Sequence, residues 1–209
     1  MLSLLDKCIV ELDKGLRSVF TTPHSERAYP AEGITDAELD DHEKRDIIAK
    51  MRVNHTGEIC AQALYRGQML MAKNSTTYDM LHHASLEEQE HLSWTARRVA
   101  ELEGKLSYLN PVWYSMSFTI GAVAAAISDG ASLAFVEETE RQVAQHLSGH
   151  LETIPEKDGR TRVIIQQMRE DEIEHGAKAQ QSGATDLPAW FKQLMRLQAK
   201  VMTSVTYYI

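Results

Sequence analysis

Cysteine is scarce in this chain of 209 residues, which contains two, Cys8 and Cys60. They lie far apart, in segments with helical periodicity, and neither belongs to a Cys-x-x-Cys motif. This excludes the disulfide framework of a small secreted domain and the cysteine clusters of structural zinc sites. The pattern indicates a reducing compartment.

Proline, glycine and positive charge are also limited. The 5 prolines and 11 glycines cluster between long periodic stretches, which argues against the evenly spaced turns of an all-β protein. The 22 Lys and Arg residues are outnumbered by 30 Asp and Glu residues, giving a net charge of -8. Because a nucleic-acid-binding protein usually presents a basic face, we expect no nucleic-acid partner.

Helical periodicity runs through most of the chain, which is long enough for one domain with a substantial core. The sequence predicts an amphipathic helix over 1–20, a polar linker over 21–41, a bundle over 42–181 and a C-terminal helix over 188–209. Charged residues interrupt the first segment, so we do not expect it to act as a secretory signal. The predicted fold class is all-α, a four-helix bundle with additional N- and C-terminal helices in a single domain.

Two of the predicted helices contain the pattern Glu-x-x-His, at Glu88 and His91 and at Glu172 and His175. Residues three apart share one face of a helix, so each pair can converge on one ion. A single such pair would be an ordinary solvated helix face. Each pair, however, is preceded by a helical glutamate, Glu58 at 30 residues and Glu140 at 32 residues. Two hairpins that each supply these ligands are typical of two-metal carboxylate bundles. We therefore predict a metal centre of Glu58, Glu88, His91, Glu140, Glu172 and His175.

The helical period also predicts which side chains surround the ligands. Glu140 lies in the middle of an apolar stripe, whereas Glu138 points almost the opposite way, toward solvent. Glu137 lies at the edge of the stripe, where it is a candidate neighbour of the ligands or an alternative fourth carboxylate. His146 and Tyr65, which shares the face of Glu58, are the other candidate neighbours. A carboxylate in an apolar stripe is costly unless it is compensated, and metal ions would compensate it.

Four segments carry a resemblance to a known family: RVNHTGEICAQALYRGQ, EEQEHL, ETERQVAQHL and DEIEHGAKA. They resemble the demethoxyubiquinone hydroxylases of ubiquinone biosynthesis, and the resemblance covers most of the chain. It implies a ferritin-like fold and a non-haem centre of two Fe ions on the same six residues. It further implies a monooxygenase that hydroxylates the ring of a polyprenyl methoxy-methyl benzoquinone or quinol with dioxygen. NADH is the implied ultimate reductant.

The resemblance also implies peripheral attachment to a membrane surface, at the cytoplasmic face of a bacterial inner membrane or the matrix face of the mitochondrial one. Two further partners are compatible with the resemblance, a second copy of the chain and a ubiquinone-biosynthesis complex. No residue between Lys105 and Asp129 carries a formal charge, so this stretch passes by length as a membrane-spanning candidate. We expect a helix with an outer face at the membrane interface and an inner side along a quinone channel. The alternative is a fully buried core helix.

Two other functions would use the same ligands. A ferritin-like iron oxidase or peroxide-reducing protein needs a polar shell and no lipid quinone, which the uncharged stretch disfavours. A non-enzymatic bundle would use the metal for stability or storage and would not react with dioxygen in the presence of a quinone precursor.

Overall fold

The computed structural model describes residues 4–21 and 25–209, without the side chains of residues 4, 5, 7 and 8. The predictions for Cys8, for the first three residues and for part of the linker therefore lie outside the described residues. The regular elements in the described ranges are all helices: α1 Leu4–Phe20, α2 Asp41–Met71, α3 Ser75–Glu101, α4 Asn110–Ile127, α5 Asp129–Thr153, α6 Gly159–Gln181 and α7 Ala189–Thr206. The predicted all-α class is confirmed.

Local capping signals fix the N-terminal ends of helices α2, α3, α5 and α6. Asp40 caps α2 in a reciprocal arrangement with Glu43, and the side chain of Asn74 accepts a hydrogen bond from the Thr77 amide at the start of α3. Ser128 caps α5 and separates it from α4, while Asp158 caps α6. These caps satisfy backbone N–H groups that have no partner inside the helix.

Helices α2, α3, α5 and α6 form the bundle, as the hairpins α2–α3 and α5–α6, and α4 crosses over α2 to connect them. The largest core cluster fills one end of the bundle with side chains from all four helices, among them Ile47, Met51, Trp94, Leu147 and Ile165. The metal-ligand candidates lie next to this core, at mid-height of the four helices.

Two glycines allow α4 to approach α2 closely. A Cβ atom at Gly121 would lie 2.1 Å from the carbonyl oxygen of Leu64, and one at Gly67 would lie 2.1 Å from that of Phe118. The face of α4 that contains Gly121 is therefore buried against α2. Its opposite face is exposed, with Val123 58% and Ile127 69% accessible to solvent. The alternative of a fully buried helix is wrong. No helix in the described ranges is long and apolar enough to cross a membrane.

The prediction that Glu138 faces solvent is also wrong, since this side chain is fully buried. It accepts hydrogen bonds from Arg141 at 2.6 Å and from Gln142 at 2.6 Å, and Lys192 of α7 lies 3.7 Å away. The helical period of α5 correctly placed Glu138 on the side of the helix that faces away from the bundle axis. The local sequence could not reveal that α7 covers this side.

Residues 29–36, which precede α2, pack over the C-terminal end of α3 and the N-terminal end of α6. Tyr29 and Ala31 belong to the core cluster, and Arg160 donates hydrogen bonds to the carbonyl oxygens of Ala31 and Ile34. Nearby, Arg98 is fully buried and forms an ion pair with Asp158, which is also fully buried, at 3.0 Å. This part of the predicted linker is therefore an integral layer of the fold.

Candidate metal centre

The six predicted ligands are brought together inside the bundle. Glu58 comes from α2, Glu88 and His91 from α3, Glu140 from α5, and Glu172 and His175 from α6. Each is at most 2% exposed. Because each helix presents its ligand on the face that packs inward, four carboxylates and two imidazoles share one buried volume.

Two glutamates lie between the two imidazoles. Nδ1 of His91 is 3.2 Å from Oε2 of Glu88 and 3.3 Å from Oε1 of Glu172. Nδ1 of His175 is 3.3 Å from the other oxygen of each of these glutamates. Glu88 and Glu172 therefore present one oxygen to each imidazole.

The other two carboxylates lie at opposite ends of this arrangement. Oε2 of Glu58 is 3.8 Å from Nδ1 of His91, and ligand atoms of Glu58, Glu88, His91 and Glu172 all lie within 4.8 Å of one another. This group could hold a metal ion. Glu140 lies beside Glu172 and accepts a hydrogen bond from the hydroxyl of Tyr65.

The electrostatics of the site reflect this concentration of buried carboxylates. Burial raises the pKa of Glu58 and of Glu140 well above the usual range, and neighbouring carboxylates raise it further. Burial acts in the same direction on Glu88, but hydrogen bonds from His175 and His91 outweigh it and lower the pKa of that carboxyl. The site thus favours positive charge close to its carboxylates.

The far nitrogen of each imidazole is held by a carboxylate from the opposite helix. Nε2 of His91 lies 2.9 Å from Asp171, and Nε2 of His175 lies 2.6 Å from Glu87. Asp171 directly precedes Glu172, and Glu87 directly precedes Glu88. Carboxylates in this position orient the ring and leave its other nitrogen free to face a metal.

A cavity of about 440 Å³ opens between α2, α4, α5 and α7 and reaches Glu58, Glu140 and Glu172. Its walls are mainly apolar, with Leu64, Trp113, Ile120, Phe135, Leu147 and Met195 among the lining residues. Met116, Arg196 and Lys200 are lining residues that are also exposed, so they mark its mouth. A second cavity, of about 370 Å³, lies on the other side of the site beside Glu87 and His175.

Comparison with known proteins assigns the family. The family model described as ubiquinone biosynthesis protein COQ7 matches residues 45–206. The chain belongs to the COQ7 family. It is 48% identical over 206 residues to the 3-demethoxyubiquinol 3-hydroxylase of Chromobacterium violaceum, an alignment that covers 99% of this chain and 100% of the relative. The enzyme of the same name from Laribacter hongkongensis is also 48% identical, with the same coverage. The one from Coxiella burnetii is 47% identical over 207 residues, covering 99% of this chain and 96% of the relative.

COQ7-family membership confirms the resemblance predicted from the four sequence segments. The all-helical architecture with its buried Glu and His group is compatible with the ferritin-like bundle that the resemblance implies.

The three predicted neighbours of the ligands occupy different positions in this COQ7-family fold. Tyr65 contacts Glu140, and burial raises the pKa of its hydroxyl, which therefore stays protonated as a donor. His146 lines the main cavity and its ring centroid lies 4.1 Å from that of His150. Glu137 is half-buried, and its charge raises the pKa of Arg141.

The sequence left open the roles of several residues that support the site. From their position beside the ligands, Glu87 and Asp171 could each hydrogen-bond the far side of a ligand or simply be solvated, and the sequence could not decide because their partners lie on another helix. His55 is buried and does not lie on the helix surface. Its Nδ1 lies 3.1 Å from Oγ1 of Thr95, and burial lowers the pKa of His55 to about 4. Thr95 in turn donates a hydrogen bond to the carbonyl oxygen of His91. The only local signal for Glu87 and Asp171 was their position directly before a ligand glutamate.

Proposed function

We propose that this COQ7-family chain is a di-iron monooxygenase that hydroxylates the ring of a demethoxyubiquinol-type lipid quinol with dioxygen. One observation carries the proposal: six buried carboxylate and imidazole side chains converge at the inner end of a mainly apolar cavity. The names of the relatives, 3-demethoxyubiquinol 3-hydroxylases over nearly their full length, support the substrate and the reaction.

The donor set fits two divalent iron ions. Four carboxylates can offset the charge of two such ions, and each imidazole supplies one nitrogen. Glu88 and Glu172 would contribute ligand atoms at both imidazoles, because each presents one oxygen to each ring. Glu58 would complete the position beside His91, and Glu140 the position beside His175. Two irons bound there would supply the electron transfer and dioxygen chemistry of the reaction.

The residues of the chain itself would bind the quinol and orient the metal ligands. The apolar walls of the main cavity would hold the quinol ring and the start of its tail and exclude water from the reacting carbon. Tyr65 fixes the orientation of Glu140, which borders this cavity. Asp171 and Glu87 fix the two imidazole rings. The site therefore presents an aligned set of ligands to a substrate that enters along α4 and α7.

The reaction places one oxygen atom on the ring and releases the other as water, which consumes two electrons and two protons. We propose NADH as the ultimate reductant, on the basis of the family resemblance. Because the main cavity needs α2, α4, α5 and α7 together, the packing supports the proposal that the described chain acts as one domain.

We also propose that the exposed apolar faces of α1, α4 and α7 dock on the surface of the membrane that contains the quinol. Large apolar side chains are exposed on all three helices: Leu12, Leu16 and Phe20 on α1, Val112, Val123 and Ile127 on α4, and Trp190, Leu194, Leu197 and Val201 on α7. Clusters of large exposed apolar side chains mark surfaces that bind proteins or membranes. The cavity mouth lies between α4 and α7, so a lipid could enter without crossing water. The cytoplasmic face of a bacterial inner membrane is the location we propose.

The test is anaerobic reconstitution of the purified protein with ferrous iron, followed by counting of irons per chain. We expect two. Addition of labelled dioxygen with a demethoxyubiquinol should then give the hydroxylated quinol, with one label per product by mass spectrometry. Glu88→Ala should lose both irons and turnover, because it removes a carboxylate that faces both imidazoles. Glu174→Gln is the control, since Glu174 lies on α6 but faces solvent and pairs with Lys178.

Three results would contradict the proposal. One is fewer than two irons in folded protein under iron-replete, reducing conditions. The second is label-free product, and the third is full turnover in Glu88→Ala. Rapid iron oxidation with no change in the quinol would instead favour the iron oxidase alternative.

A further inference from the structure

The two imidazoles of the centre are held by carboxylates in different surroundings. Asp171, which holds His91, is 13% exposed and receives Arg27 Nη1 at 2.7 Å and Gln167 Nε2 at 3.0 Å. Glu87, which holds His175, is 38% exposed, and the Lys or Arg paired with it is Lys178 at 4.0 Å, itself 46% exposed. An exposed pair at that distance contributes little to orientation. The His91 half is therefore held more firmly than the His175 half.

Arg27 also reaches His91 by a second route. Its guanidinium carbon lies 4.8 Å from the ring centroid of Trp94, a distance at which a cation is attracted to an aromatic face. The Trp94 ring is almost fully buried and lies 5.4 Å from the His91 ring, centroid to centroid. Arg27 thus packs against one neighbour of His91 and forms an ion pair with another.

The backbone that carries Arg27 is itself anchored to α3. The amides of Glu26 and Arg27 donate hydrogen bonds to the carboxylate of Glu90 at 2.9 and 3.2 Å, and the hydroxyl of Ser25 donates a third. Glu90 is 8% exposed and directly precedes His91. Because this segment is fixed on the same helix as His91, the guanidinium has a defined position relative to the imidazole.

We propose that Arg27 is a positioning residue for His91 and makes the His91 half of the centre the tighter of the two metal positions. The inference rests on the proposed two-metal centre. A ligand that is already oriented loses less conformational freedom on binding, so a metal gains affinity where the supporting contacts are rigid. The second cavity, which borders Glu87, His175 and Lys178, gives the other half direct access to solvent.

The experiment is a stepwise anaerobic titration of the metal-stripped full chain with Co²⁺, followed by its ligand-field absorption. The parent protein should bind two equivalents, the first more tightly. His175→Ala, which keeps the His91 half, identifies the spectrum of that half. Arg27→Gln should weaken the first equivalent by about tenfold, the lower end for loss of an outer contact, and change the second less than about twofold.

Arg97→Gln is the matched control. Arg97 also lies on the surface beside the segment between α1 and α2, but its described contacts are with Tyr29, Glu32 and Glu101. Its loss should leave both affinities unchanged. Arg27→Lys keeps the charge but lacks the planar fork, so its first affinity should fall between those of the parent and Arg27→Gln. Far-UV circular dichroism checks that each variant is folded. If Arg27→Gln does not fold, the affinity of Arg27→Lys for the first equivalent tests the role of Arg27.

The inference would be overturned if the folded Arg27 variants bound the first Co²⁺ equivalent as tightly as the parent does. It would also be overturned if Arg97→Gln weakened that binding as much as Arg27→Gln does. Either result would leave the proposed function intact. A first equivalent whose spectrum differs from that of His175→Ala would also overturn the inference. A parent protein that binds no pair of metals would instead remove the proposed two-metal centre.

Discussion

The buried ion pair between Arg98 and Asp158 provides a quantitative test of how the two ligand-bearing helices are held together. Arg98 lies on α3, two turns after His91, and Asp158 caps α6, so the pair joins the helices that carry the two Glu-x-x-His motifs. Both side chains are fully buried. Replacement of Arg98 by Met keeps the length of the stem and removes the charge.

The expected loss follows from the contacts of Arg98. Asp158 would remain buried with its hydrogen bond from the Thr161 amide but without its cation, and breaking a buried pair in this way costs about 3–5 kcal/mol. Arg98 also pairs with Asp36 and Glu101. Because Asp36 is 51% exposed and Glu101 keeps its ion pair with Arg160 at 2.6 Å, losing these two contacts adds little to the loss of stability. For a chain of this size the midpoint of thermal unfolding should fall by about 6–20 °C.

The assay is urea unfolding at neutral pH, followed by far-UV circular dichroism, with every variant at the same metal loading. Asp158→Asn should cost about 1–2 kcal/mol, because Asn also caps helices and Arg98 keeps its other partners. In the double variant neither charge is left unpaired, so its loss should be smaller than the sum of the single losses by at least about 1 kcal/mol. Arg97→Met, one position away and 47% exposed, is the control and should change stability by less than about 0.5 kcal/mol.

Two results would refute this reasoning. A loss of less than about 1 kcal/mol in Arg98→Met would mean that Asp158 is compensated by water or another cation. Additive losses in the double variant would mean that the two charges do not interact in the folded state.

The remaining predictions concern the helix crossing, a buried imidazole and the main cavity. Gly121→Ala should destabilise the protein by about 1–3 kcal/mol in thermal unfolding, because its Cβ would lie 2.1 Å from the Leu64 carbonyl oxygen. Parent-like stability would show that α4 can move away at no cost. His55, with its pKa lowered by burial to about 4, binds a proton more readily in the unfolded chain. The contribution of neutral His55 to the free energy of unfolding is therefore complete above about pH 6.5 and is lost as the pH falls toward 4. Between pH 7 and pH 5, His55→Gln should therefore lose less stability than the parent. Equal losses in urea unfolding would contradict this. Ile120→Trp should raise the KM for the quinol by about tenfold with an unchanged metal count, because Ile120 lines the cavity. Loss of metal in that variant would show that the cavity wall and the centre are not separable.

Much of the architecture could be predicted from local signals. Asp40, Asn74, Ser128 and Asp158 cap helices by contacts within a few residues, so the helix boundaries are encoded where they occur. The six predicted ligands follow from the helical period together with two similar hairpin spacings. Both rules operate along the chain, and neither requires knowledge of how the helices pack.

Other features depend on helices that are distant in sequence. Glu138 was placed in solvent because its own helix gives no information about α7, and α4 had two possible environments until its packing on α2 was known. Asp171 supports His91 across 80 positions of sequence, and Arg27 reaches Asp171 across 144. The main cavity likewise exists only where four helices leave space between them.

The amino-acid sequence by itself determined the helices, the inward direction of the six candidate ligands and the family. The tertiary structure alone decided which carboxylates lie between the imidazoles, what holds each imidazole from outside and where the cavity meets the site. The physical reason is that periodicity and capping act over a few residues, whereas these contacts depend on side-chain packing between helices that the chain brings together only when it folds.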